Sequence, residues 1–284
     1  MAQSTREIKR RIKGIGSTRQ ITKAMELVSS TKVRKRRIKL EKTRPYYNTV
    51  LKSIQSVLEH VNIKHPLLEQ REVKKALYIT VNADRGLAGG YNSNINRLVD
   101  SKFKNNKDSI SLITVGSKSR DFFKGRNYNI VESFVGISEE PEFSDAKDIS
   151  KIAMDLFIKG EVDEINVVFT DFISTMNQKA KVLRLLPSEK IKKEEGKAQA
   201  IVDFEPNPEE VLEYLIPKYV ESSIYGALIE ASTSEQSSRQ AAMRAATDNA
   251  NDIIDDLNMV YNRARQSAIT MELSEIVAGA EALK

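Results

Sequence analysis

The sequence predicts an α/β fold in which a central domain of about five strands is carried on a long antiparallel α-helical coiled coil supplied by both termini. Three observations predict it. Residues 218–284 contain no proline and only two glycines, Gly226 and Gly279. At about 1.5 Å rise per residue such a helix would run roughly 100 Å, about three times the width of a small domain. The first sixty residues hold a second long helical pattern, interrupted around Arg44 and Pro45. Between 73 and 205 the hydrophobic period shifts to short β-rich runs that alternate with helical ones. The chain therefore divides into an amino-terminal coiled-coil helix (1–60), an α/β domain (73–205) and a carboxy-terminal coiled-coil helix (207–284).

Taken in order, Ser4, Thr5, Arg6 and Glu7 have the form of a capping box, which satisfies the free amides of a helix start. Ile8, Ile12 and Ile15 follow at helical spacing, and Met25, Val28 and Lys32 continue the stripe. Its narrowness marks a coiled-coil seam rather than a broad core-facing surface, with Gly14 and Gly16 interrupting it. Strands are expected at 77–81, 110–115, 130–135, 165–169 and 182–186, each short, apolar and bounded by polar or glycine turns. Helices are expected at 92–106, 117–125 and 144–159, the last capped by Ser144 and stopped by Gly160. Strand–helix alternation implies a largely parallel, Rossmann-like sheet covered by helices. The connection 170–181 leaves no room for a crossover helix, so the fifth strand should run antiparallel to the fourth. Asn207, Pro208, Glu209 and Glu210 suit a helix start, and Pro217 should kink that helix soon after. Farther on, an alanine-rich stretch allows close helix approach, and Ile253, Leu257, Val260 and Ala264 form a narrow stripe. Its antiparallel partner should be the amino-terminal helix.

Composition narrows the function. There is no Cys, which excludes thiolate metal sites, disulfides and thiol redox chemistry. The two histidines, His60 and His65, stand beside Pro66 and fit a surface turn better than a metal site. No apolar run approaches the ~18 residues of a membrane span. Residues 1–44 carry 15 Lys/Arg against Glu7, Glu26 and Glu41, leaving 30 Lys/Arg against 36 Asp/Glu in the remainder. Such a basic helix suits nucleic acid, anionic lipid or an acidic protein surface, and it can equally be a solvated face. An Arg-rich beginning is also a feature of transit peptides, but Glu7 and the uninterrupted helical pattern argue against cleavage.

The segment Asp84–Asn92, with Gly86, Gly89 and Gly90, follows the first strand and opens a helix, where a phosphate loop would sit. Its spacing matches neither the dinucleotide nor the nucleoside-triphosphate fingerprint, so it is expected to be a tight structural turn. With no Cys, two neighbouring His and scattered carboxylates, no catalytic residue, metal site or cofactor is assigned.

Three segments carry a resemblance: GIGSTRQITKAMELVSSTKVRK (14–35), ADRGLAGGYN (83–92), and the pair SEQSSRQAAMRAATDNA (234–250) with ITMELSEIVAGA (269–280). They resemble the gamma subunit of bacterial F-type ATP synthase over essentially the whole chain. Ala88 stands where many relatives have Cys, and the chloroplast-type redox insert is absent. The resemblance implies a central rotary shaft. Its partners would be the hexamer of alpha and beta subunits, the epsilon subunit and the membrane c-ring. It would sit peripherally on the cytoplasmic side of a bacterial cell membrane, with no direct insertion and no nucleic acid. It further implies that Met25, Arg265, Gln266, Thr270, Glu272 and Glu275 meet the catalytic hexamer, and that Phe204 and Glu205 face the membrane ring and epsilon subunit. The rival readings are a basic coiled-coil nucleic-acid-binding or scaffold protein, and a nucleotide-dependent enzyme built on the α/β domain.

Overall fold

A computed structural model of the chain describes residues 5–60, 67, 69, 71–187 and 207–282. The elements are α1 (Thr5–His60), β1 (Ala76–Val81), α2 (Tyr91–Phe103), β2 (Ile110–Val115), α3 (Ser117–Lys124), β3 (Ile130–Phe134), α4 (Phe143–Ile158), β4 (Glu164–Phe172), β5 (Gln178–Leu186) and α5 (Pro208–Ala282). The chain packs as two compact units, 30–238 and 1–29 with 239–284.

In the larger unit the sheet order is β3-β2-β1-β4-β5. β1 pairs in parallel with β2 and β4, β2 with β3, and β5 is antiparallel to β4, with Val168 opposite Val182. β4 and β5 can lie antiparallel because only a short turn joins them. Each is longer than its apolar run, since Thr170, Asp171, Lys179 and Lys181 are paired into the ladder as well. Alternation along β1 sends Leu77, Ile79 and Val81 to one face, where α4 (Ile149, Ala153, Phe157) and α5 (Leu212, Ile216, Val220, Ile224) cover them. Ala76 and Tyr78 face α2 (Tyr91, Ile95, Val99) and Phe123 of α3. A parallel sheet must be covered on both faces, and this one is.

Several expectations are corrected. α1 passes through Pro45 as one helix instead of breaking there. Proline removes one donor, and the carbonyl it frees, on Glu41, lies on an exposed stretch where water can satisfy it. As expected, α5 starts ahead of Pro217 and continues past it. α4 starts at Phe143, so Ser144 is within the helix and not its cap. The backbone N–H of Glu142 donates to the Asp145 carboxylate at 2.8 Å, which fixes the start two residues earlier. Gly160, at φ +73°, ends α4 as expected. Asn207 caps α5, its Oδ1 accepting the Glu210 amide at 2.9 Å. Ser4 of the expected first capping box, and His65 and Pro66 of the expected histidine turn, lie outside the described residues. His60 is the last residue of α1.

The smaller unit pairs α1 with α5. Thr247 Oγ1 donates to Thr22 Oγ1 at 2.8 Å, and Arg19 reaches Asn251 at 3.3 Å. The α5 number falls as the α1 number rises, so the pair is antiparallel. On α1, Ile8, Ile15, Thr22 and Ser29 recur every seven residues and are buried or half-buried. Met243, Ala250, Leu257 and Ala264, with Thr247, Ile254 and Tyr261, form the matching rows on α5. Val28 and Val260 are instead exposed, at 56% and 46%, and Ile253 sits at the margin. The reason is that the heptad runs through Thr22 and Ser29, and a stripe drawn through apolar residues alone slips off it.

Candidate functional site

The turn after β1 is held by hydrogen bonds on every side. Ala83 N–H donates to Asn92 Oδ1 at 2.9 Å, and Asn82 Nδ2 donates to Asn96 Oδ1 at 2.8 Å. Leu87 (φ 64°) and Gly89 (φ 54°) take left-handed backbone to close it. Gly116 is required opposite: a Cβ there would lie 2.3 Å from the Asn82 carbonyl oxygen. The Asp84 carboxylate accepts the Ser117 N–H at 2.9 Å and the Ser138 N–H at 3.3 Å, so it occupies the positive end of α3. Burial pushes this carboxyl upward. Hydrogen bonds from the Gly136, Ser117 and Ser138 backbones and the Ser138 hydroxyl outweigh that, and it sits below its usual value. Asp84 thereby ties the turn after β1 to the start of α3.

A second feature was missed by the sequence reading. Residues 231–237 of α5 are all buried, although Ser232, Thr233, Ser234, Glu235, Gln236 and Ser237 are polar. Ser232 receives Arg36 of α1 at 2.7 Å and donates to the Glu139 carbonyl at 2.7 Å. Ser234 donates to the Thr170 carbonyl at 3.0 Å, Ser237 to the Thr175 carbonyl at 3.0 Å, and Ser238 to Gln178 Oε1 at 2.6 Å. α5 is thus ringed by α1, the loop before α4 and the β4–β5 hairpin. Directional bonds on several sides fix the rotation of a helix about its own axis in a way that apolar contact does not. The signal in the sequence was the run of Ser and Thr at helix-interior positions, where helix propensity alone does not favour them.

The positions singled out from the sequence are dispersed. Met25 is half-buried on α1. Arg265, Gln266, Thr270, Glu272 and Glu275 are all exposed on α5, and Thr270 Oγ1 donates to the Gln266 carbonyl at 3.0 Å. Ile269, Met271, Leu273, Ile276 and Val277 are exposed alongside them. Phe204 and Glu205 lie outside the described residues. Among the described residues no three His, Asp or Glu side chains converge on a metal-sized site, and no helix is long and apolar enough to cross a membrane.

These features define a class: a five-stranded α/β domain whose first and last helices pair antiparallel, with the turn after the first strand tied to α3 by the Asp84 carboxylate. The family model described as ATP synthase matches residues 4–283. The chain is 50% identical to the ATP synthase gamma chain of Alkaliphilus metalliredigens, over 100% of both chains. It is 46% identical, again over 100% of both, to the sodium ion specific ATP synthase gamma chain of Acetobacterium woodii. Among solved structures it resembles a chain of the central stalk and c-ring of the Tetrahymena thermophila mitochondrial ATP synthase, with TM-score 0.65 and 27% identity over 80% of this chain and 99% of that one. A rotor chain of the Euglena gracilis mitochondrial ATP synthase shares the fold, with TM-score 0.70 and 17% identity over 94% of this chain and 99% of that one. The chain belongs to the ATP synthase gamma-chain family.

Proposed function

We propose that the chain is the central rotary shaft of an F-type ATP synthase, coupling ion flow through a membrane ring to ATP synthesis or hydrolysis in a hexamer of alpha and beta subunits. The observation that carries the reading is the antiparallel α1–α5 pair, whose partners run in opposite directions from Thr22–Thr247 to Arg19–Asn251 and whose later α5 residues are exposed. A stiff helix pair that touches three catalytic sites unequally biases them toward different states, which is allostery by rigid-body rotation. In this role the chain carries no catalytic residue of its own. It sits peripherally on the cytoplasmic side of the bacterial cell membrane and is joined at its base by the epsilon subunit and the membrane ring. Met25, Arg265, Gln266, Thr270, Glu272 and Glu275 are the proposed contacts with the hexamer, and Phe204 and Glu205 those toward the ring and epsilon subunit. Nucleic-acid binding is disfavoured in part because basic residues of α1 are engaged internally: Lys32 with Glu139, Arg36 with Ser232 and Arg44 with Glu230.

The test is purification through a tag on this chain, followed by reconstitution in vesicles. An ATP-hydrolysing complex that pumps ions on ATP addition, from a chain that alone does not hydrolyse ATP, supports the reading. A chain that recovers no such hexamer, or that hydrolyses ATP by itself, overturns it.

A further inference from the structure

On the sheet face opposite α5, an open cavity of about 420 Å³ lies between α2 and α3. Asn96 of α2 lines it while being only 4% exposed, and its Oδ1 accepts Asn82 Nδ2 at 2.8 Å. Asn92, at the start of α2, commits its own Oδ1 to the Ala83 N–H at 2.9 Å. An amide carries its oxygen and its NH2 group on opposite sides, so anchoring both oxygens in the protein leaves N–H donors for the cavity. Arg126, just past α3, lies over the Phe122 ring with its guanidinium carbon 3.7 Å from the ring centroid. Its Nη1 donates to the Phe122 carbonyl at 3.3 Å. Stacking fixes the guanidinium plane and leaves the other N–H groups along its edge. Arg97 and Lys118 complete the basic lining, both exposed, and neither forms an ion pair with a described residue. The one acid of the lining, Asp100, accepts the Tyr128 hydroxyl at 2.8 Å. Three cations thus face one carboxylate, and the amides that the fold has oriented are donors.

We propose that this cavity binds a small soluble anion bearing a phosphate or diphosphate group, held by Arg97, Lys118 and Arg126 and by the Asn92 and Asn96 amides. A planar guanidinium presents paired N–H groups at the spacing of two phosphate oxygens, and Lys118 adds a point charge. A carboxylate brings one charge and two oxygens. A phosphate brings more of both, which better matches a lining with three cations and two oriented amides. The volume falls within the range of about 300–1,000 Å³ typical of small-molecule sites, so a ligand larger than bare phosphate can enter. A lipid headgroup offers the same phosphate chemistry. However, no large apolar side chain is exposed on α2 or α3, so a bilayer would find nothing there to anchor in its apolar layer. A concave site without an apolar rim favours the soluble source. Asp100 opposes the charge of the ligand and so sets a limit on affinity, which gives the site a signed test. The cavity belongs to the α/β domain alone, and the proposal does not depend on the rotor reading.

The experiment titrates the full-length, nitrogen-15-labelled chain with inorganic phosphate and with pyrophosphate at constant ionic strength. The side-chain amide signals of Asn92 and Asn96 read the site directly. They are expected to shift and saturate with a Kd of about 1 mM or tighter for at least one of the two probes. Lys118→Gln changes an exposed side chain, and Arg126→Gln removes the stacked fork. Each should weaken binding about tenfold, the usual effect of losing one charged hydrogen bond. Asp100→Asn removes the opposing charge while keeping an acceptor for the Tyr128 hydroxyl, and should tighten binding several-fold, which a damaged fold would not do. Sedimentation with phosphatidylglycerol vesicles separates the sources: vesicle binding without any response to the soluble probes overturns the proposal. So do shifts that do not saturate by about 10 mM of either probe, shifts confined to the basic first helix, or an affinity unchanged in both Lys118→Gln and Arg126→Gln.

Discussion

Asp84 shows how a single side chain can tie the turn after β1 to the start of the next helix but one. Its oxygens accept the Ser117 and Ser138 amides, and its backbone oxygen accepts the Ser117 hydroxyl at 2.7 Å. Asp84→Ala is expected to destabilise the chain by about 1 kcal/mol, the usual cost of a lost helix cap, read as a lower urea midpoint with an unchanged slope. An unchanged midpoint would mean that the loop is held by its other bonds alone. Glu139 gives a second prediction at this scale. Burial raises its carboxyl, but the hydrogen bond and charge of Lys32, with Arg85 and Arg36 behind, hold it below its ordinary value. A depressed folded value stabilises the protein above the unfolded value of 4.5 and stops doing so as pH falls through the folded one. Lys32→Met should therefore lower the thermal midpoint near pH 7 and converge with the unaltered chain in acid. Parallel melting curves down to pH 3 would show that the 2.9 Å pair contributes nothing. Because its side chains are 35% and 25% exposed, the effect should be small and weaker at high salt.

At the scale of elements, the α1–α5 pair has a definite register. From Thr22 opposite Thr247, one heptad toward the start of α1 brings Ile15 to Ile254, and a second brings Ile8 to Tyr261. All four are buried or half-buried, in agreement with the seven-residue rows. Ile15→Cys with Ile254→Cys, and Ile8→Cys with Tyr261→Cys, should oxidise readily to intramolecular disulfides, as the absence of native Cys makes easy to score. Ile15→Cys with Val260→Cys, which breaks the register, should not. Equal oxidation of matched and mismatched pairs would refute a fixed antiparallel seam. The same rows explain why hydrophobic spacing alone misplaced Val28 and Val260: Thr22 and Thr247 satisfy each other across the seam and so occupy positions that a purely apolar stripe passes over.

For the whole molecule the decisive property is transmission through an assembly. Met25→Lys adds a cation on the half-buried side of α1 where, in the proposed shaft, an acidic loop of the hexamer passes. An ion pair formed in only some rotary states would deepen those states, slowing rotation or lowering the ions moved per ATP hydrolysed. The measurement is ATP-driven ion pumping relative to hydrolysis in the reconstituted complex. An unchanged rate and ratio would place Met25 away from that interface.

The sequence by itself determined the kinds of element, their order, the antiparallel fifth strand and the family, because periodicity, breakers and short motifs are local properties of the chain. Five apolar runs and the helical patterns between them sufficed for the sheet, even where Asp171 and Lys181 hid the true ends of β4 and β5. The candidate contacts at Met25 and at 265–275 came from resemblance to a family, not from spacing. Only the tertiary structure decided that Asp84 caps α3, that serines around 232–238 ring α5, and that Glu230 meets Arg44. Those contacts join residues such as Arg36 and Ser232, which lie 196 positions apart. A polar side chain reads as surface until something distant buries and satisfies it, and no local pattern in the sequence encodes which partner that will be.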